Sequence, residues 1–248
     1  FSVGLSAGWY DTAWAIGAVI TAFLAVRYLR NSGYSTISAL VNEMYGKKTS
    51  FIMVISMCII QSGIIALQYK AGGSILAALL PDVFTTESGT FFSFLIFMLV
   101  AMIGGMGSVS LTNVLNLILI YVGVIVATVI VLNNHGGWDA IQTLVAAEPD
   151  VPYLSFTEGM GWIGILSWVI VMIGNTNSVQ GVVQIGLTGK DDRSAKWGYI
   201  IGAAFMVPVG FICALLGVAS KALLPDAVAA EALPQILMSI PPVLGGIT

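Results

Sequence analysis

The chain has 248 residues and a net charge of −3, with 58% of its residues hydrophobic and 8% charged, where a soluble domain carries roughly 25% charged residues. With a mean hydropathy of +0.97, this excludes an ordinary soluble domain. The lack of any clustered basic tract excludes nucleic acid as a partner.

Apolar runs of helix length, without porin-type alternation, make this an all-α polytopic membrane protein. Cys58 and Cys213 sit inside apolar runs and read as small buried hydrophobes. His135 is the single histidine and there is no Cys-x-x-Cys, so no metal or cofactor site is expected. The chain starts at Phe1 rather than Met and stops at GGIT just as another apolar segment begins, which reads as part of a longer protein.

In chain order, a first span runs from about Leu5 to Val26 and ends at Arg27 and Arg30. A second runs from Phe51, after Lys47-Lys48, to Leu80, and Pro81 ends it. Span three is Phe91 to Ile103, stretching towards Gly107, and GGMGSVSLTN is a short turn before span four, Val114 to Leu132. Asn133 to Met160 is a long loop with Trp138 and Tyr153 as interfacial anchors. Span five is Gly161–Leu187, and span six is Trp197 to about Leu216 with Pro208 inside it. Lys221 to Pro242 is a loop with a short amphipathic piece, and a seventh span starts at Val243. Alternating sides puts Arg27, Arg30, Lys47, Lys48, Lys190, Arg193 and Lys196 on one face, which the positive-inside rule makes cytoplasmic. The expectation is a single transmembrane domain over residues 1–248, with six complete spans and the start of another, in the plasma (inner) membrane.

Span five carries the chemistry. Its first half is apolar, then Gly174-Asn175-Thr176-Asn177-Ser178 places small, amide and hydroxyl residues at mid-membrane, followed by Gln180, Gly181 and Gln184. Lipid offers no hydrogen bonds, so these groups must be satisfied by protein, water or ligand. One reading is interhelical glue; the other is the broken helix of a secondary transporter, with Gly174 and Gly181 as the breaking residues. Five such residues together favour the binding site. Asp11 is the one acidic residue that hydropathy places inside a span. Two readings of it stay open: a carboxylate facing a cavity or partner, or a residue in the outer headgroups. Lys70, in the outer third of span two, reads as a snorkelling residue.

Four segments resemble motifs of the sodium:solute symporter family. MIGGMGSVSLTNVLN is similar to its GG-L-x-A-V-x-x-T-D-x-I-Q turn, and NSVQGVVQIGLTGKDDRSAKWG to its N-Q-x-x-x-Q-R-x-L-A-A-K segment. LPQILMSIPPVLGGI is similar to its LP-x-L-x-x-x-LP-x-x-L-x-G-L lead, and GYSTISALVNEMYGKK to its T-x-P-E-F-x-x-x-R-Y-G segment. The resemblance implies a LeuT-like bundle of two inverted five-helix repeats, with core helices two to seven and the start of eight in this chain. Gly161–Leu187 is then core helix six. Tyr10 and Asp11 fall where sugar-transporting members carry a Tyr-Glu pair that meets substrate, and Asn175 falls where they place a gating tyrosine. Met172 and Met206 stand where those members carry a sugar-binding Asn and Lys, which argues against a hexose. Asn113 replaces the aspartate of the T-D turn, which implies an ion-path position, and Gln184-Ile185 replaces Gln-Arg. The family's sodium site lies between core helices one and eight, so its ligands are not named from this chain.

The expectation is sodium-coupled symport of a small organic solute by alternating access, not an enzyme. Tyr10, Asp11, Asn175, Thr176, Asn177 and Gln180 are the substrate-binding candidates. Na⁺, the solute and the lipid bilayer are the partners. The alternatives are a solute-sensing membrane domain of a signalling protein, or proton-coupled symport.

Overall fold

A computed structural model of the chain describes residues 2–146, 152–224 and 236, with backbone only at 101, 104–112, 185 and 188. The expected amphipathic piece after Lys221 mostly lies outside the described residues, as does the seventh span. Among the described residues every regular element is helical. A 3₁₀ turn, Gly4–Gly8, leads into α1 (Trp9–Leu24), α2 (Val26–Asn31), α3 (Ile37–Tyr45) and α4 (Lys47–Leu79). Then come α5 (Thr86–Asn134), α6 (Gly137–Ala146), α7 (Gly161–Ser178), α8 (Gln180–Thr188) and α9 (Asp192–Leu223).

The boundaries follow local chemistry. The Thr36 hydroxyl accepts from the Ala39 N–H and caps α3. Gly46, at φ +83°, turns the chain out of α3 into α4, a conformation open to glycine at no steric cost. Thr85 and Ser88 form a reciprocal capping box at the start of α5. Asp191 caps α9 by accepting from the Ser194 N–H at 2.6 Å.

Among the described residues three stretches are long and apolar enough to cross a membrane: Lys47–Leu79, Asn113–Asn134 and Asp192–Leu223, with Thr86–Val100 a shorter apolar helix. The turn expected over GGMGSVSLTN is absent, because α5 runs unbroken through it. That segment has glycines but no proline, so every residue keeps its N–H for the helical ladder. Each Gly weakens the helix by only about 1 kcal/mol relative to Ala. Pro208 is accommodated inside α9. The long loop holds α6, and Tyr153 is buried rather than an interfacial anchor, its carbonyl accepting from the Leu5 N–H at 2.8 Å. Cys58 and Cys213 are exposed on helix surfaces, not buried. An apolar run does not reveal which of its residues face protein and which face lipid.

The chain divides into two compact units: Phe1–Leu5, Gly63–Ser155 and Ile212–Thr248 form one, and Ser6–Ser62 with Phe156–Phe211 the other. In the first, α4 and α5 meet at glycine. A Cβ on Gly73 would clash with the Thr90 N, and one on Gly89 would stand 2.7 Å from the Gly73 carbonyl oxygen, while Tyr69 packs edge-on to Phe94. Ala127 and Val131 of α5 and Ile141 and Val145 of α6 are buried there.

The second unit is organised by α1 against α7. Ala13, Gly17 and Thr21 are buried at four-residue spacing on α1, and Ile165, Met172 and Thr176 form the buried stripe of α7. Small residues at such spacing let two membrane helices approach closely. A Cβ at Gly17 would lie 2.8 Å from the Met172 carbonyl oxygen. Beyond the α1–α2 junction, Ala22, Val26, Ala195 and Tyr199 form a buried cluster against which Val182 of α8 packs.

Candidate functional site

The break in the fifth apolar segment falls at Val179. Its backbone is extended (φ −79°, ψ 121°), its N–H closes α7 on the Asn175 carbonyl at 2.9 Å, and its carbonyl accepts from Val182 and Val183 to open α8. The cause is the four residues before it, because Asn, Thr and Ser side chains compete for backbone groups. Asn177 Nδ2 donates to the Ile173 carbonyl at 2.8 Å, and the Thr176 hydroxyl reaches the same oxygen at 3.2 Å. The β-branched Val179 then takes the extended conformation readily. Neither expected breaking residue breaks the helix: Gly174 lies inside α7 and Gly181 in the first turn of α8. The polar residues between them disrupt the ladder instead.

The polar run divides between two faces of α7. Thr176 is fully buried and meets α1. The Thr21 hydroxyl lies 2.9 Å from the Gly17 carbonyl and 3.2 Å from both Thr176 Oγ1 and Asn177 Oδ1, its one proton serving one acceptor at a time. Thr176 and Asn177 therefore act as glue between helices. Asn175 and Ser178 turn the other way. With Val171 and Gly174 they form an i, i+3, i+4, i+7 stripe that, with Val179 and Gln180, lines one wall of a cavity of about 520 Å³. The opposite wall is a matching stripe of α4: Met53, Ser56, Met57, Ile60 and Gln61. None of these lining residues carries a charge. Asn175 Oδ1 is buried with no hydrogen-bond partner among the described residues, a state that costs about 1–3 kcal/mol unless something fills it.

The remaining candidates lie elsewhere. Tyr10 is 47% exposed and packs on Trp168, ring centroids 5.0 Å apart. Trp168 Nε1 is itself buried without a partner among the described residues, two turns before Asn175 on α7. Asp11, in the first turn of α1, abuts Gly210 of α9, where an added Cβ would stand 2.9 Å from its Oδ2. No basic side chain pairs with it among the described residues. Asn113 is exposed on α5 and belongs to the other unit.

Gln180 does two things. It lines the cavity, and its Oε1 accepts from the Ile37 N–H at 2.8 Å while Nε2 reaches the Ser35 carbonyl at 3.4 Å. The start of α8 is thus tied to the start of α3. The far end of α8 is tied by Arg30 of α2, whose Nη1 lies 3.0, 3.3 and 2.7 Å from the carbonyls of Gly186, Leu187 and Gly189. Its Nε pairs with Asp192 at 2.8 Å. Free carbonyls at a helix C-terminus carry partial negative charge, so a guanidinium there is doubly favoured. The Tyr199 hydroxyl donates to the Val182 carbonyl at 2.5 Å. Arg30 thereby joins the first basic segment to the second. Next to it, hydrogen bonds from the Ser194 side chain and N–H hold the Asp191 carboxyl below its usual range, helped by Arg30 and Arg193.

Sequence reasoning missed the α4 wall. The signal was there: Ser56 and Gln61 are polar residues near the middle of a long apolar span, on one helical face with Met53, Met57 and Ile60. Among the described residues, apolar helices of membrane-spanning length define a polytopic membrane protein. The profile of the sodium:solute symporter family matches residues 1–239, and the chain belongs to that family. Its members are sodium-coupled solute transporters, not enzymes. No protein of curated function matches the chain.

Proposed function

We propose that this symporter carries a small organic solute across the plasma membrane by alternating access, with the solute held between α4 and the α7–α8 break. The supporting observation is the buried Asn175 Oδ1, unpartnered among the described residues, on the wall of a cavity of about 520 Å³ with an uncharged lining, a size in the range of small-molecule sites. Asn175, Ser178, Ser56 and Gln61 supply the hydrogen bonds, and Met53, Met57 and Val171 the apolar contact. Gln180 holds the edge of the site in place through α3. Tyr10 and Asp11 stand outside this lining, and Asn113 is given no part in it.

The two units work as one transporter domain of the inverted-repeat type, α7 and α8 being the two halves of a discontinuous helix. Such a break sets the C-terminal carbonyls of one half beside the N-terminal N–H groups of the other. A cytoplasmic position for the Arg30–Asp192 end follows the positive-inside rule, and Na⁺ supplies the driving gradient.

The test is uptake by the protein in proteoliposomes of a pooled labelled panel of amino acids, polyols and small carboxylates, under an inward Na⁺ gradient, with K⁺ substituted, and under a pH gradient alone. Sodium-dependent uptake that falls at least tenfold in Asn175→Leu and Gln61→Leu, but not in Thr176→Val, supports the reading. Sodium-dependent uptake untouched by the first two variants places the solute elsewhere, and uptake driven by pH alone replaces sodium with protons.

A further inference from the structure

The composition of the cavity's lining restricts what it can hold. Its polar groups are two hydroxyls (Ser56, Ser178) and three carboxamides (Gln61, Asn175, Gln180), and its remaining wall is thioether, aliphatic or glycine. Titratable side chains are absent from both walls. The nearest lysine on α4, Lys48, is five residues before Met53, the first lining residue of that helix, about 7.5 Å along the helix. Asp11 is turned to Gly210 of α9, and Arg30 is spent on Asp192 and the end of α8. At the break itself the partial negative charge at the end of α7 adjoins the partial positive charge at the start of α8, so the two largely offset. Ser56, Ile60, Gln61, Val171, Gly174 and Ser178 leave the cavity open on one side. A charged group brought against the buried Asn175 Oδ1 still gives up water there and meets no counter-charge among the lining residues, which disfavours it. A neutral group meets hydrogen-bonding partners of both kinds.

The orphan group adds a direction. Asn175 Oδ1 is a buried acceptor without a donor among the described residues, so the ligand that completes it brings an O–H or N–H. Amides and hydroxyls line one part of the cavity, while Met53, Met57, Ile60 and Val171 line the rest. A ligand matching both has a hydrogen-bonding edge and an apolar face. Methionine walls adapt to varied shapes.

We propose that the α4/α7–α8 cavity selects an electrically neutral solute with at least one hydrogen-bond donor and an apolar face, and excludes organic cations and anions. This rests on the cavity being the solute site. Selectivity by neutrality is then a property of the lining residues, and a single charge placed at residue 175 inverts it.

The experiment compares labelled probes of one size range in proteoliposomes under an inward Na⁺ gradient: mannitol, myo-inositol and nicotinamide as neutral probes, ethanolamine and agmatine as cations, lactate and pyruvate as anions. The wild-type protein is expected to take up at least one neutral probe at ten or more times the rate of any ion. Asn175→Asp is expected to lose that uptake at least tenfold and to gain an amine. Thr21→Ser, at the α1–α7 contact, serves as the control for altered packing and is expected to keep the neutral preference. Sodium-driven uptake confined to charged probes overturns the neutral class while leaving sodium symport intact. Neutral uptake that persists unchanged in Asn175→Asp overturns the assignment of selectivity to this cavity. No sodium-dependent uptake of any probe by monodisperse, thermally cooperative protein removes the solute-site reading and the neutral class with it.

Discussion

Arg30 offers the sharpest test of how α8 is held. Truncation to Ala removes two kinds of interaction at once. The ion pair joins a side chain 17% exposed to one 49% exposed, and pairs of that kind contribute about 0.5 kcal/mol. The carbonyl contacts are worth more: one guanidinium nitrogen serves three oxygens at 2.7–3.3 Å, and a hydrogen bond from a charged donor contributes roughly 1.5–3 kcal/mol. One nitrogen has two protons, so the total loss for Arg30→Ala is about 3 kcal/mol. Arg30→Lys keeps the charge but not the planar fork and recovers about half. A thermal melt in detergent micelles reads this as a fall of roughly 6–12 °C for Ala, at about 2–4 °C per kcal/mol for a chain of this size. A double-mutant cycle with Asp192→Ala separates the parts. The coupling energy should not exceed about 1 kcal/mol, because most of the loss lies in the capped carbonyls. If Asp192→Ala alone lowers the melting temperature as much as Arg30→Ala, and the double variant lowers it no further, the capping argument is refuted.

Three further outcomes follow from the same geometry. Gly17→Ala places a methyl 2.8 Å from the Met172 carbonyl oxygen, and is expected to cost about 1–3 kcal/mol of stability by overpacking, read in the same melt. Gly174→Ala meets nothing within 4 Å and replaces a helical glycine, so stability rises by up to about 1 kcal/mol. Because Gly174 lines the cavity, solute uptake falls in that variant, and a melt and an uptake assay moving in opposite directions is the signature. Asp191→Ala removes the α9 cap. Since the folded protein holds this carboxyl below its ordinary value of 3.8, its contribution is present above that value and lost as pH falls through the lowered one. The stability difference from wild type should therefore be constant between pH 5 and pH 8 and vanish only in strong acid.

Hydropathy located these apolar segments because membrane insertion reads the same quantity: α4 starts and ends within four residues of its expected span, and α9 contains its expected span but starts five residues earlier and runs seven residues further. It failed over residues 104–113, where glycines resemble a turn but leave every backbone N–H in place for α5 to continue. The amide-rich run after Gly174 announced a discontinuity, and the discontinuity is there. Its location at Val179, rather than at a glycine, depends on which side chains capture the Ile173 carbonyl, a competition that composition does not resolve. The run divides between two faces of α7. Thr176 and Asn177 bind α1, whereas Asn175 and Ser178 line a cavity, and only helical phase combined with the positions of α1 and α4 separates them. The α4 wall was missed because Ser56 and Gln61 are scattered singly in an apolar run, and their shared face matters only once α7 is opposite. Asp11 stood out for its charge, yet its packing against Gly210 of α9 is a contact between residues almost two hundred positions apart and has no local signature.

The central claim is that solute occupies the cavity beside the α7–α8 break in a sodium-dependent way. The most direct measurement is alkylation of a Ser178→Cys variant, with Cys58 and Cys213 replaced by Ala, by a membrane-permeant maleimide in proteoliposomes that retain uptake. The account predicts that the neutral probe taken up by the wild-type protein slows labelling of Cys at 178 at least fivefold in Na⁺ and has little effect in K⁺. Labelling at an unchanged rate with and without that probe in Na⁺, while uptake continues, would contradict it.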